Sequence, residues 1–323
     1  MRRLAIVTSG GDAPGMNAAV RAVVRSALAR GWEALGVRDG YTGLMQGELQ
    51  GLDARGVGGI IERGGTVLGS TRCERLKSET GLEAAMATVR MSDIEALIVI
   101  GGNGSQTGAW ELARRGAPVI GIASTIDNDL YGTDISLGAT SAVDVALQAI
   151  NQLRTTAASM TRAFLLEVMG RHCGYLALMA GIAGGAEAIL VPEADLAPET
   201  LAQELRASRE RGKSHAIAVV AEGARYPAEA LLRYFQEHRE RLGFELRATR
   251  LGHIQRGGAP GVFDRMLGSE LGVAAVEAVT QRRFGMLVGM HAGTPCLTPL
   301  SQVAGRTRPA DARLLTLARL LAA

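Results

Sequence analysis

The chain has 323 residues, enough for two domains of ordinary size or one large one, and its 47% apolar content with 42 glycines excludes a disordered polymer. Net charge is only +3, without a run of Lys or Arg and without basic stretches interleaved with aromatics, which excludes a nucleic-acid footprint. Aromatics make up 4% of the residues, so Ala, Leu, Val and Ile must fill the core.

The first apolar run, residues 4–8, reads as a buried strand, and the charged start before it lacks the apolar stretch and cleavage site of a secretory signal. It leads through Thr8-Ser-Gly-Gly-Asp-Ala-Pro-Gly-Met-Asn17 into a helix expected over 17–30, with Ala18, Ala19, Ala22, Val23, Ser26 and Ala27 on one side. A strand at 97–100 passes through Gly101-Gly-Asn-Gly-Ser-Gln-Thr-Gly108 into a helix over 104–115. The strand at 119–122 ends in Ser124-Thr-Ile-Asp-Asn-Asp-Leu-Tyr-Gly-Thr-Asp134, where Asp127, Asp129 and Asp134 crowd together. Helices at 141–158, 197–211, 227–242 and 261–282 then alternate with strands at 164–168, 189–191, 217–220 and 286–290. Strands this continuously apolar are covered on both faces, and their alternation with helices predicts the α/β class with parallel sheets. No repeat and no Pro- or Ser-rich linker divides the chain, and the best junction lies near 132–138. The apolar runs are too short for a bilayer, so no membrane span is expected. Cys73, Cys173 and Cys296 are odd in number and far apart, which predicts free thiols in a reducing, cytoplasmic setting.

The loops after residues 8 and 101 each follow a strand, are rich in Gly and open a helix. Glycine lets backbone N–H groups approach a ligand closely, and a helix start adds unpaired donors and partial positive charge, which is how phosphate is held without a lysine. Either loop alone reads as a tight turn; two in one α/β chain favour phosphate binding. Neither is a Walker A sequence: Gly212-Lys213-Ser214 has Ala207 where the leading Gly belongs, and G-x-G-x-x-G fails at Thr107. Asp127 and Asp129 alternate, so in an extended segment they point to one side, one carboxylate toward a magnesium ion and the other toward a hydroxyl. An Asx-rich turn, which Asn128 and Gly132 suit, is the competing reading. Glu167-Val-Met-Gly-Arg-His172 and Leu251-Gly-His-Ile-Gln-Arg-Gly-Gly258 offer arginines suited to phosphate. Cys173 reads as a buried residue at a helix start, and the five histidines have no zinc spacing. The residues alone describe an α/β enzyme that moves a phosphoryl group with Mg²⁺, to an acceptor they leave open.

Taken with Arg63-Gly-Gly-Thr66, Thr125-Ile-Asp-Asn-Asp129 and Ala221-Glu-Gly223, these segments resemble the bacterial-type ATP-dependent 6-phosphofructokinase family, in family order and spacing over most of the chain. The resemblance implies two Rossmann-like three-layer α/β/α domains with mainly parallel sheets. Residues 1–138 plus about 251–304 would bind nucleotide, and 139–250 plus about 305–323 sugar phosphate. It implies a homotetramer whose active sites are completed by a neighbouring subunit. The implied reaction moves phosphoryl from Mg-ATP to the 1-hydroxyl of fructose 6-phosphate, giving fructose 1,6-bisphosphate and ADP in glycolysis. Asp127 matches the family's general base, Thr125 a residue at the transferred group, Arg72 and Arg171 arginines near the reacting phosphates, and Asp129 with Asn103 the metal side. Met169, Gly170, Arg171, Glu222, His253 and Arg256 match the sugar-phosphate pocket, while Arg162 and Arg247 match arginines that reach over from the adjacent subunit. Gly11, Tyr41, Arg72, Cys73, Gly102, Asn103, Gly104, Ser105 and Gly108 match the nucleotide side. Arg21, Arg25, Arg154, Glu187, Arg211, Lys213 and His215 match an effector cleft, with ADP or phosphoenolpyruvate as effector.

The sequence departs from the family pattern mainly on the nucleotide side. Asn103 stands where the family has Asp, keeping an oxygen but dropping a full charge, which weakens metal binding. Ala123-Ser124 replaces Pro-Gly, Ala139-Thr140 replaces Phe-Asp, Met160-Thr161 replaces His-Glu, and Ala54 beside Arg55 replaces an effector arginine. Pyrophosphate-using relatives carry Asp at the place of Gly104 and Lys at that of Ser124; this chain has neither, so ATP is the expected donor. The alternative is a weak or inactive paralogue that binds sugar phosphate or effector and regulates an active isozyme, and a third reading is a kinase with another ketose phosphate as acceptor. The intact Asp127 and Asp129 speak against the paralogue, and the intact sugar pocket against the shifted acceptor.

Overall fold

A computed structural model describes residues 2–160, 162–213, 215–242 and 246–322. The first alternating series is β1 (Arg3–Thr8), α1 (Met16–Leu28), β2 (Glu33–Val37), α2 (Gly40–Gln46), β3 (Leu49–Leu52), α3 (Glu79–Met91), β4 (Ala96–Gly101), α4 (Asn103–Arg114) and β5 (Val119–Ala123). Next come α5 (Ala139–Met160), β6 (Ala163–Val168), α6 (Tyr175–Ala183), β7 (Ala188–Leu190), α7 (Pro198–Glu210), β8 (Ala216–Ala221), α8 (Ala228–Glu237), α9 (Arg239–Leu242) and β9 (Leu246–Arg250). The last series is α10 (Ile254–Gly257), α11 (Val262–Thr280), β10 (Met286–His291), β11 (Thr294–Pro299), α12 (Leu300–Val303) and α13 (Ala312–Ala322). The chain divides into two compact units, Met1–Ser141 with Arg256–Thr307, and Ala142–Gln255 with Arg308–Ala323.

The first unit is built on a seven-stranded sheet in the order β11-β10-β5-β4-β1-β2-β3. Its interior pairs are parallel, and only the edge strands β3 and β11 run antiparallel. Every residue of β4 and β5 is buried, as the continuous apolar runs require. On one face Val7, Leu97, Val99 and Val119 pack with Leu82, Ala85 and Leu112 from α3 and α4. The residues that alternate with them, Ile6, Ile98, Ile100, Ile120 and Ile122, are also fully buried, and each such side chain contributes roughly 1.5–3 kcal/mol. α1 and α11 pack against each other so closely that a Cβ at Gly272 would lie 2.8 Å from the Ala19 carbonyl oxygen.

The second unit has a four-stranded sheet in the order β7-β8-β6-β9, parallel throughout. Leu165, Leu190, Ala218 and Val220 form its core with Leu201 and Leu205 of α7 and Leu231 and Phe235 of α8. α6 packs on β7 and β8, and α13 on α6.

The single helix expected over 227–242 is two helices. The backbone leaves helical geometry at His238 (φ −113°, ψ 23°), whose ring stacks on Tyr234 at 4.3 Å. Among the described residues no helix is long and apolar enough to cross a membrane. Among the described residues Cys73, Cys173 and Cys296 form no disulfide.

Candidate active site

β1, β4 and β5 are neighbours in the first unit and run parallel, so the loops at their carboxyl ends share one edge of the sheet. That is where ligands sit in open α/β sheets. The Thr8 loop, the Gly101 loop and the aspartate loop are these three connections. Backbone bonds stitch them together: the Ser9 N–H donates to the Ile100 carbonyl at 3.0 Å and the Ser124 N–H to that of Gly101 at 3.2 Å. A Cβ on Gly101 would lie 2.6 Å from the Ser9 carbonyl oxygen, so only glycine fits. α1 and α4 both start without a side-chain cap and without an acid in the first turn. No side chain claims their first backbone donors, although the Met16 N–H at the start of α1 turns back to the Ala13 carbonyl at 3.2 Å, and such starts attract an anion.

The nucleotide-side residues have distinct surroundings. Gly11 is pressed by the Arg256 guanidinium, which lies where a Cβ would be. Arg256 donates to the Asp12 carbonyl at 2.9 Å, so this residue, expected in the sugar pocket, stands against the glycine loop. Gly102 precedes α4, and a Cβ at Gly104 would meet nothing within 4 Å, which leaves that approach open. Tyr41 is only 2% exposed and its hydroxyl donates to the Ser105 carbonyl at 2.6 Å. Burial, then the Cys73 thiol, pushes the Tyr41 phenol well above its ordinary pKa. Gly108 makes room for that ring, since a Cβ there would lie 3.0 Å from it. Arg72 is exposed and Cys73 half-buried, on a segment pinned by Ser70, whose hydroxyl donates to the Gly10 carbonyl at 2.7 Å.

The aspartate loop corrects the expectation of an extended segment. Residues 126–127 form a turn, Asn128 is left-handed with φ 50° and Gly132 with φ 91°. The turn reading and the paired acids therefore coexist in one loop. Thr125 and Asp129 are buried, and the Asp127 N–H donates to Thr125 Oγ1 at 3.2 Å. Asp134, the third acid, has a structural partner: its carboxylate accepts the Ala292 N–H at 2.8 Å and faces His291 Nδ1 at 3.2 Å, at the β10–β11 turn. Together with burial, Asp134 also raises the Cys296 thiol, burial being the larger cause. Ala123 ends β5, and the Ser124 hydroxyl donates to the Leu137 carbonyl at 3.4 Å, so both replacements are accommodated inside the unit. Ala139 is fully buried at the start of α5; Thr161 lies outside the described residues.

In the second unit Met169, Gly170 and Arg171 follow β6, Glu222 follows β8 and His253 follows β9, again three adjacent parallel strands. Gly170 adopts φ 125°, and a Cβ there would lie 2.6 Å from the Cys173 carbonyl oxygen. Arg171, Glu222 and His253 are exposed. Arg162 and Arg247 are not brought to this edge. They stand at the amino ends of β6 and β9, about 20 Å away along a six-residue strand. Of the residues expected at an effector cleft, Arg154 donates to the Gly184 and Gly185 carbonyls and Lys213 pairs with buried Glu187 at 3.0 Å. Arg211 is exposed and His215 half-buried in the same unit, while Arg21 and Arg25 belong to α1 of the first unit.

Three supporting residues escaped the sequence reading. Gln106 is fully buried and its Nε2 donates to the carbonyls of Val99 (3.2 Å), Gly101 (2.9 Å) and Ile122 (3.1 Å), tying β4 to β5. Gln255, also buried, accepts the Met169 N–H at 2.7 Å. Asp264 accepts the N–H of Gly138 and of Ser141 at the start of α5, both at 2.8 Å. The signal for Gln106 and Asp264 was a polar residue inside an otherwise apolar helical stripe; Gln255 had none.

Comparison with known proteins agrees with this geometry. The phosphofructokinase family model matches residues 3–279. The "ATP-dependent 6-phosphofructokinase 1" of Thermus thermophilus is 50% identical, with all of both chains covered. Phosphofructokinase of Pichia pastoris in the T-state superposes with a TM-score of 0.87 and 36% identity over 99% of this chain, which spans 36% of that longer one. A pyrophosphate-dependent phosphofructokinase of Marinobacter aquaeolei shares the fold, with a TM-score of 0.87 and 24% identity over 97% of this chain and 86% of that one. By loop order, strand edge and full-length likeness, the chain belongs to the phosphofructokinase family.

Proposed function

We propose that the chain transfers the terminal phosphoryl group of ATP to the 1-hydroxyl of fructose 6-phosphate, giving fructose 1,6-bisphosphate and ADP, as a kinase of glycolysis. The observation that carries this reading is two uncapped helix starts converging on the strand edge that bears the aspartate loop, in a chain 50% identical to a named ATP-dependent 6-phosphofructokinase.

In this reading the backbone donors at the starts of α1 and α4 hold the ATP phosphates, with Gly11, Gly102, Gly104, Ser105 and Gly108 shaping the approach and Tyr41 supporting Ser105 from beneath. Asp127 takes the proton of the sugar 1-hydroxyl as its oxygen bonds to the γ-phosphorus; the bond from that phosphorus to the bridging oxygen breaks and ADP leaves. Thr125 Oγ1 accepts the Asp127 N–H, so its own hydrogen stays available to the transferred group. Arg72 and Arg171 balance charge on the phosphoryl oxygens. Met169, Gly170, Glu222 and His253 hold the sugar phosphate.

The residues present fit magnesium. Asp129 is a buried carboxylate, and Asn103 Oδ1 is a buried oxygen without a hydrogen-bond partner. Among the described residues no group of three His, Cys, Asp or Glu gathers, which suits an ion that takes one or two protein oxygens and the rest from phosphates. Bound there, Mg²⁺ supplies charge neutralisation at the β- and γ-phosphates.

The same reading places Arg162 and Arg247 in a neighbouring subunit's sugar site within a homotetramer, since they stand at the wrong strand ends to serve their own. It assigns Arg21, Arg25, Arg154, Glu187, Arg211, Lys213 and His215 to an effector, ADP or phosphoenolpyruvate, the nucleotide to the first unit, the sugar phosphate to the second, and the protein to the cytoplasm.

The deciding experiment is ADP release from Mg-ATP, measured by a coupled assay with and without fructose 6-phosphate. Sugar-dependent release with fructose 1,6-bisphosphate as product is expected; sugar binding without release sinks the kinase reading. Asn103→Asp restores a full charge at the cation and is expected to lower the half-saturating Mg²⁺ concentration by about tenfold or to raise kcat. If neither moves, position 103 does not meet the metal.

A further inference from the structure

Between the two acids of the aspartate loop stands an amide. Asn128 is 3% exposed and sits in the left-handed region at φ 50°, a conformation that Asn tolerates better than most residues with a Cβ. Its Oδ1 accepts the Ser136 N–H at 2.8 Å, and its Nδ2 donates to the Asp134 carbonyl at 3.2 Å. Ser136 is itself fully buried, and its hydroxyl lies 2.6 Å from the Thr125 carbonyl oxygen and 3.1 Å from Asn128 Oδ1. The single hydroxyl hydrogen goes to the nearer acceptor, so Ser136 ties Thr125 with its side chain and Asn128 with its backbone. The outward and returning arms of the loop are thereby clamped at the residue flanked by Asp127 and Asp129.

The residue type is specific to the task. An amide presents an acceptor to the Ser136 N–H and a donor to the Asp134 carbonyl at once. A carboxylate would face that carbonyl with a second acceptor and add a charge between two others. Alanine would make neither bond and would strain the left-handed backbone. Glycine would keep the backbone and lose both bonds.

We propose that Asn128 is the positioning residue of the phosphoryl-transfer site: its side-chain clamp on Ser136 and Asp134 sets the placement of Asp127 and Asp129, a role that rests on reading Asp127 as the base. Asn128 touches no reacting atom, so its loss acts on the geometry of the acids and leaves the substrate pockets alone. Small misplacements of a catalytic group are expensive, on the order of a hundredfold per ångström.

Asn128→Gly is expected to lower kcat by about 30-fold with both KM values within about twofold of the parent, and to lower the thermal midpoint by a few degrees because the Ser136 N–H and the Asp134 carbonyl lose their partner. A kcat within about threefold of the parent overturns the proposal. So does a loss shared by kcat and both KM values, which marks a general scaffold role. Ser136→Ala is the second variant, read even where Asn128→Gly does not fold; it frees the Thr125 carbonyl and is expected to lower kcat about fivefold at unchanged KM. Unchanged kcat in Ser136→Ala overturns the clamp. Asp127→Ala run beside them separates the two readings. Surviving turnover there removes the base and this inference together, whereas a dead Asp127→Ala with a fully active Asn128→Gly removes the inference alone.

Discussion

Asp127→Ala is expected to lower kcat by about a thousandfold, while fructose 6-phosphate binding measured by calorimetry without nucleotide changes by less than about threefold. On the proposed reading, the loss is that of a general base. Without the Asp127 carboxylate, the hydroxyl proton must leave to water during phosphoryl transfer, and the nucleophile is neither deprotonated nor held. Binding survives because Met169, Gly170 and Glu222 follow β6 and β8 in the other sheet, whose backbone does not depend on this side chain. Asp127→Asn should lose as much as Asp127→Ala, although it keeps the shape of the residue. A kcat within about tenfold of the parent in either variant places the base elsewhere; loss of binding in both would mean that the loop shapes the sugar pocket rather than the proton transfer.

How much of this was legible before the fold was known depended on whether a signal was local. β4, β5 and β8 were readable because both of their faces are covered, which forces an unbroken apolar run. β9, Leu-Arg-Ala-Thr-Arg, was not, because it pairs only with β6 at the sheet edge and carries exposed arginines. β11 hid behind its prolines, which an edge strand tolerates because its outward N–H groups need no partner. The glycine loops were visible because strand, glycines and helix start are contiguous. The fate of the third aspartate was not, since Asp134 finds its partner at Ala292, which nothing near it in sequence announces. The resemblance to the family supplied the roles of residues, and the structure the reasons for their spacing.

Asp264→Ala is expected to destabilise the protein by about 4 kcal/mol, lowering the thermal midpoint by about 10 °C. The residue is fully buried in the first turn of α11, yet its carboxylate works for another helix. It accepts the backbone N–H groups of Gly138 and Ser141 at 2.8 Å each and the Ser141 hydroxyl at 2.7 Å. Those donors lie at the start of α5, where a negative charge also meets the positive end of the helix dipole. Alanine removes the acceptor and leaves three donors buried without it, each costing roughly 1–3 kcal/mol before relaxation. Asp264→Asn should recover only part of the loss, because its amide retains one acceptor and turns a donor toward a donor. What lies against Gly15 is the backbone and Cβ of Asp264, the Cβ standing 3.3 Å from where one on Gly15 would be; alanine keeps both, so the first glycine loop stays packed. The KM for ATP should therefore stay near that of the parent while the midpoint falls. A midpoint within about 2 °C of the parent would show that water or a rearranged α5 start satisfies those donors, and that the buried acid is not what fixes the junction between the aspartate loop and the helix after it.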